Sequence, residues 1–307
     1  MDVLVTGGAG FIGSHLVDGL LSAGHSVRVL DDLSTGLAEN VNRSAELVVG
    51  SVVDSKVVAK AVEGREVVFH LGALGAVARS VADPRASNAT NVNGTLNVLT
   101  ESVASGVRRV VFASSSSVYG GAEVVPTPES TPLRPRSPYA VTKMTGEWYT
   151  RIFAELYPIE TVALRYFNVF GPRQRPDATY AAVIPLFAAA LMAGVAPTVH
   201  GDGTQSRDFT YVTDVVAANL AAATAPADPA SGHAFNIAPG AGTNLLELLD
   251  GLAARIGTNV NPVFVDSRPG DVHLSCADAT AARTVLGWSP TVSVADGLAQ
   301  YVDWLRA

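Results

Sequence analysis

The sequence predicts an α/β protein built on a doubly wound parallel sheet, with a second, smaller α/β region, and three observations predict it. Short apolar, β-branched runs alternate with longer Ala- and Leu-rich stretches over the first half of the chain. A glycine cluster, Gly7-Gly8-Ala9-Gly10-Phe11-Ile12-Gly13, sits between the first such run and the first helical stretch. After about Gly171 the rhythm loosens, with shorter runs and more Pro and Gly, and no low-complexity linker marks the change.

In order, the strands are expected at Val3 to Thr6, Ser26 to Leu30, Glu46 to Val49, Val67 to His70, Arg109 to Ala113 and Thr161 to Leu164. Parallel strands need crossovers, and Phe11 to Ala23, Pro84 to Ala104 and Tyr139 to Leu156 carry apolar residues at helical spacing. Later helices are expected near Ala181 to Ala193, Val215 to Ala223, Leu245 to Ile256 and Ala279 to Leu286. Residues 1–170 therefore form the sheet domain, with parts of 205–240 returning to it, and 171–307 the smaller domain. The cleft between them is the natural place for a ligand.

The 307 residues are long enough to enclose such a cleft without staples. A single cysteine, Cys276, excludes an internal disulfide, and no Cys/His cluster has zinc-like spacing, so no metal is expected and a reducing, cytoplasmic compartment is the economical reading. The chain starts directly on an apolar strand without a basic leader, and no run approaches the roughly 18 apolar residues of a membrane helix. A formal charge of −7 disfavours nucleic acid as a partner.

The glycine cluster places small residues where backbone must turn tightly and approach a pyrophosphate, with the following helix N-terminus facing the phosphates. Asp31, at the end of the second strand, is placed to accept hydrogen bonds from ribose hydroxyls, and Asp32 follows it. A carboxylate there repels a 2′-phosphate and no arginine stands beside it, which favours NAD over NADP.

Tyr139 and Lys143 are four apart at the start of a helix and so share one face. Eight tyrosines and three lysines (Lys56, Lys60, Lys143) give this spacing by chance only about 0.08 times. A phenol with a reference pKa of about 10 must lose about 3 units, or about 4 kcal/mol, to act as a base near neutrality. A cation at about 4 Å supplies about that much at an effective dielectric near 20. In a chain with only three lysines among 21 basic residues, a lysine here points to a role for a compact ammonium. Ser114-Ser115-Ser116-Ser117 follows a strand at the sheet's carboxyl edge, where hydroxyls can hold a substrate oxygen, and spacing alone picks no single member.

With Asn91-Val92-Asn93-Gly94-Thr95, Arg165-Tyr166-Phe167-Asn168-Val169-Phe170-Gly171-Pro172, Arg207-Asp208-Phe209 and Arg268-Pro269-Gly270-Asp271, the whole chain resembles the extended short-chain dehydrogenase/reductase family, specifically its NAD-dependent nucleotide-sugar epimerases and dehydratases. The resemblance implies a Rossmann sheet and a bound NAD, held by Gly7, Gly10, Phe11, Ile12, Gly13, Asp31, Asp32, Ser51, Val52, Leu71, Asn91, Tyr139 and Lys143. It makes Ser115 the hydroxyl at the sugar O4, Tyr139 the acid/base and Lys143 the ribose-binding cation. Ser116, Ser117, Asn168, Arg175, Arg207, Arg268 and Ser275 would contact a UDP-sugar, with Asn168, Arg207 and Arg268 on the diphosphate.

Ser51 replaces an acidic residue common in the family, and Ser116-Ser117 replace the Asp-Glu pair of its dehydratases, which argues against elimination of water. The implied activity is 4-epimerisation of a UDP-sugar. Asn168 favours a neutral hexose, the Arg173-Gln174-Arg175-Pro176-Asp177 run a uronate, and the small Ser275 an N-acetylhexosamine. A 4-keto-sugar reductase and a non-catalytic NAD-binding regulator are the more distant alternatives. The helices at Asn91 to Ala104 and Tyr139 to Leu156 resemble the pair that builds a homodimer in relatives.

Overall fold

The computed structural model describes residues 1–121, 123–175, 181–267 and 273–307. Its first half runs β1 (Asp2–Thr6), α1 (Phe11–Ser22), β2 (Ser26–Asp31), β3 (Glu46–Val49), α2 (Ser55–Val62), β4 (Val67–His70), α3 (Val77–Ala82), α4 (Pro84–Asn88), α5 (Gly94–Ala104), β5 (Arg109–Ser115), α6 (Pro138–Leu156) and β6 (Glu160–Tyr166). There follow β7 (Val169–Phe170), α7 (Val183–Met192), β8 (Thr198–His200), β9 (Ser206–Asp208), β10 (Thr210–Tyr211), α8 (Val212–Thr224), α9 (Ala227–Ala230) and β11 (His233–Ile237). The chain ends with β12 (Gly242–Asn244), α10 (Leu245–Ile256), β13 (Val263–Val265), α11 (Thr280–Val285) and α12 (Val294–Arg306).

Among the described residues a seven-stranded sheet has the order β11-β6-β5-β4-β1-β2-β3, and every pairing in it is parallel. Strand order reverses between β1 and β4, so the carboxyl ends of those strands open a crevice there. Alternation along each strand divides the core. Val3, Val5, Val29, Phe69 and Val111 face α1 and α8. Leu4, Leu30, Val68 and Val110 face the helices α2, α5 and α6. A separate cluster joins α7, α10 and α12 to Phe170, Phe209 and Tyr211.

Two details differ from the sequence pattern. The helix expected over Pro84 to Ala104 is interrupted by a π-helical turn at Ala89–Asn93. Asn91 there turns inward, bonding the Leu74 amide and carbonyl at 2.7 and 3.1 Å and the Thr142 hydroxyl at 3.0 Å. One extra residue in the turn gives the side chain that direction. Second, the helices α2 and α12, like the short α3 and α9, lie outside the expected set; α2 and α12 are the longer two. Asp54 caps the first through the amides of Lys56 and Val57, and Ser293 caps the second through Asp296.

Candidate active site

The turn from β1 into α1 is held open for a ligand by its glycines. Gly7 has φ +73°, and a Cβ on Gly13 would stand 2.1 Å from the Gly7 carbonyl oxygen, so backbone occupies the space that side chains would need. The Asp31 carboxylate accepts from the Ala9 amide and the Leu33 amide, both at 2.9 Å, tying the glycine turn to the end of β2. Asp32 accepts from the Ser34 amide at 2.9 Å.

These residues line a cavity of about 300 Å³ that also takes in Val52, Leu71, Tyr139 and Lys143. Of the cofactor residues expected from sequence, Gly7, Gly10, Phe11, Ile12, Gly13, Asp31, Asp32, Val52, Leu71, Tyr139 and Lys143 are thus brought together. Two are placed otherwise. The Ser51 hydroxyl accepts from the Val53 amide at 3.3 Å, beside a wall made by Gly50 and Val52. Asn91 sits behind the wall and fixes Leu74, which does line the cavity.

A second cavity of about 660 Å³ shares Phe11, Ile12, Ser114, Tyr139 and Tyr166 with the first. Ser115, Ser116, Ser117, Asn168, Arg207 and Ser275 all line it. Asn168, Val169, Gln174 and Arg207 carry its wall into a third cavity of about 520 Å³, walled by Ile184, Phe187, Phe209 and Leu245. The three form one path, and Tyr139 stands where the first meets the second. Arg175 is exposed and lies outside these linings. Arg268 lies outside the described residues. No carboxylate appears among the described residues lining the second cavity.

Burial pushes the Tyr139 phenol above its ordinary value, and the neighbouring Ser115 hydroxyl draws it back. Desolvation, then, outweighs the lowering that the Tyr-Lys spacing suggests, since Lys143 is itself buried and directed elsewhere. Its Nζ donates to the Ala113 carbonyl at 2.7 Å and stands 5.9 Å from the Tyr139 ring centroid. Burial lowers Lys143 to about 8, with Glu147 opposing the fall. Asn168 adopts φ +33° and donates to the Asp208 carbonyl at 3.2 Å, which sets its side chain between the second and third cavities. Asp208 turns to the amides of Gly240 and Ala277, at 3.1 and 2.9 Å, leaving its neighbour Arg207 on the cavity wall.

Sequence reasoning passed over Gln174, Tyr166 and Arg136, which also line the second cavity. Tyr166 and Gln174 lay within quoted motifs without being singled out, whereas Arg136 reaches the site only through the path of the chain.

The family model of the NAD dependent epimerase/dehydratase family matches residues 3–238. The chain belongs to the NAD dependent epimerase/dehydratase family. A UDP-glucose 4-epimerase of Mycolicibacterium smegmatis is 42% identical over 100% of this chain and 99% of its own length. The structure of a UDP-glucose 4-epimerase from Thermotoga maritima with UDP-glucose superposes with a TM-score of 0.95 at 40% identity, covering 100% of this chain and 99% of that one. A UDP-N-acetylglucosamine 4-epimerase from Methanobrevibacter ruminantium in complex with UDP-N-acetylmuramic acid has a TM-score of 0.93 at 36% identity, covering 99% and 98%. As a member of this epimerase/dehydratase family, the chain uses NAD, and the glycine cradle at Gly7 and Gly13 fits a dinucleotide pyrophosphate.

Proposed function

We propose that this protein is an NAD-dependent 4-epimerase of a UDP-sugar, of the UDP-glucose/UDP-galactose type. The observation that carries the reading is Tyr139 at the junction of the dinucleotide cavity and the serine-lined one, beside Ser115 on the shared wall and one helical turn before Lys143. Bound NAD supplies an acceptor and donor of hydride for C4 of the sugar. Tyr139 removes the proton from O4 as C4 is oxidised and returns it after the 4-keto sugar has turned over, so the stereocentre inverts without net redox. Ser115 holds O4. Lys143 holds the ribose beside the phenol. Asn168 and Arg207, joined by Arg268 from outside the described residues, hold the diphosphate, and the third cavity takes the nucleoside. An anchored nucleotide leaves the hexose free to rotate, because most of the binding energy is remote from the reacting carbon.

Gly7, Gly10, Phe11, Ile12, Gly13, Asp31, Asp32, Val52, Leu71, Tyr139 and Lys143 form the cofactor site in this reading, with Ser51 and Asn91 shaping its wall. Ser116, Ser117 and Ser275 line the hexose chamber. Residues 1–170, with β11 and its approach, serve the cofactor, and the remainder of 171–307 serves the nucleotide-sugar. Among the described residues the chamber wall carries no carboxylate, which argues for epimerisation over dehydration, a reaction that needs a proton donor and acceptor there. Ser275, small and on the chamber wall, favours UDP-N-acetylglucosamine as a second substrate. UDP-glucuronate stays as the alternative substrate: Arg175 is exposed away from the chamber, whereas Arg136 and Arg207 stand on its wall as cations that suit a carboxylate.

We place the protein in the cytoplasm, where a lone cysteine remains reduced, and no helix among the described residues is long and apolar enough to cross a membrane. Its outward face of α6, with Val141, Trp148, Ile152 and Leu156 exposed, supports a homodimer. Incubation of the purified protein with UDP-glucose and no added nucleotide, followed by NMR of the products, tests the function. UDP-galactose is expected. A requirement for stoichiometric external NADH would identify a reductase instead, and no conversion a regulator.

A further inference from the structure

Glu147 stands one turn beyond Lys143 on α6 and is buried, as is its partner Arg165 on β6. The Arg165 fork binds both carboxylate oxygens, Nε to Oε1 at 2.9 Å and Nη2 to Oε2 at 2.8 Å. Oε1 accepts a further hydrogen bond from the Ser114 hydroxyl. Lys143, meanwhile, donates to the carbonyl of Ala113. Two successive residues at the end of β5 are therefore gripped by two successive turns of α6, immediately before Ser115.

A buried ion pair seldom repays its own desolvation, so stability is a weak reason for this one. Its placement offers another. Around the Lys143 ammonium stand Tyr139 and Glu147 from α6, Phe112 from β5 and His70 from β4, with Arg165 of β6 behind Glu147. His70 is buried and neutral, and Glu147 is the only carboxylate among these residues.

We propose that Glu147 is a positioning residue for the reaction: through Ser114 it fixes the end of β5 that aligns Ser115 with Tyr139, and through its charge it keeps Lys143 an ammonium. The inference rests on the roles given above to Ser115, Tyr139 and Lys143. Burial already brings Lys143 down to about 8, so removing the neighbouring negative charge lowers it further and neutralises it within the working pH range.

The composition makes this measurable, because the chain has only three lysines and Lys56 and Lys60 are exposed on α2. With lysine labelled by carbon-13 at Cε, three resonances are titrated in the NAD-bound protein, and Lys143→Arg assigns the buried one. Glu147→Gln is expected to lower the Lys143 midpoint by at least one pH unit and to move the alkaline side of the kcat profile with it, leaving Lys56 and Lys60 unchanged. Ser114→Ala keeps the ion pair and the midpoint but lowers kcat at least tenfold at every pH. A folded Glu147→Gln protein with an unshifted Lys143 midpoint overturns the proposal, as does a Ser114→Ala protein with full kcat. If Glu147→Gln does not fold, Ser114→Ala alone decides. Failure of the epimerase reading looks different: the unaltered protein then converts no sugar, while the lysine titration still reports on Glu147.

Discussion

Tyr139 carries an ionisable phenol into surroundings that resist its ionisation, and Ser115 is the group that counters them. In the proposed reaction a base so placed works only when substrate and cofactor complete its surroundings, which would confine proton removal to the assembled complex. Tyr139→Phe removes the oxygen to which the proposed function gives the proton transfer and leaves the ring. Epimerisation is expected to fall about a hundred- to ten-thousand-fold in kcat with the bound NAD retained, measured by steady-state kinetics and cofactor absorbance. His70 gives a second prediction at this scale. The Thr95 hydroxyl donates to the Asn91 carbonyl, so it accepts from His70 Nε2–H, while Nδ1 accepts from Thr6, whose oxygen in turn accepts the Gly72 amide. That network has room for a neutral ring alone, and burial, then Lys143, holds the imidazole down to about 3. The unfolded chain takes up a proton near pH 6.5 that the folded one refuses until about 3. Stability contributed by the neutral ring is thus complete above pH 6.5 and lost as pH falls toward 3, at about 1.4 kcal/mol per pH unit. Denaturant melts of the protein and of His70→Gln between pH 7 and 4 should show the steeper loss in the unaltered chain.

Element by element, what the sequence could reveal was what lies close along one element. The glycine turn, Asp31 at the end of β2 and the Tyr139–Lys143 pair are local in this sense, each dictated by a tight turn or by one face of a helix. Six of the seven strands of the sheet were legible for the same reason, as short apolar runs, while β11, which joins the sheet from the second half of the chain, was not among them. The Glu147–Ser114 and Asn91–Leu74 contacts were not, because each joins residues from elements that only the folded sheet brings together. Nor was the π-helical turn, which helical spacing conceals. The glycine turn yields the prediction proper to an element. Gly13→Ala would place a methyl 2.1 Å from the Gly7 carbonyl oxygen, and that contact is backbone, so it cannot be relieved by a rotamer change. The turn must open and α1 must shift from the pyrophosphate position. The variant is expected to purify with little or no NAD and to melt at a lower temperature. By contrast Gly64→Ala, with open space around the added atom, tests only the strain of φ +71° and should keep its cofactor.

Across the whole molecule, α6 joins the chemistry to the surface. Its inner face presents Lys143, Glu147 and Phe153 to the sheet, and its outer face leaves Trp148 53% and Leu156 71% exposed, with Ile152 between them and Val141 about two turns before Trp148. Large apolar side chains spaced along one stripe of a helix are what a helical partner buries, and each contributes about 1.5–3 kcal/mol when covered. A second copy of the chain offers the same stripe, and a two-fold pairing makes it self-complementary. Trp148→Glu would set a carboxylate in the middle of that contact, where burial without a partner is costly. Sedimentation velocity is expected to show the unaltered protein at twice the chain mass of 31.7 kDa and the variant at the monomer mass. Because the helix that is freed also carries Tyr139 and Lys143, kcat should fall severalfold in the monomer while the site's residues stay unchanged. Equal sedimentation of the two proteins would place the dimer contact elsewhere, and a monomeric variant with undiminished kcat would show that α6 holds its catalytic face without support from a partner.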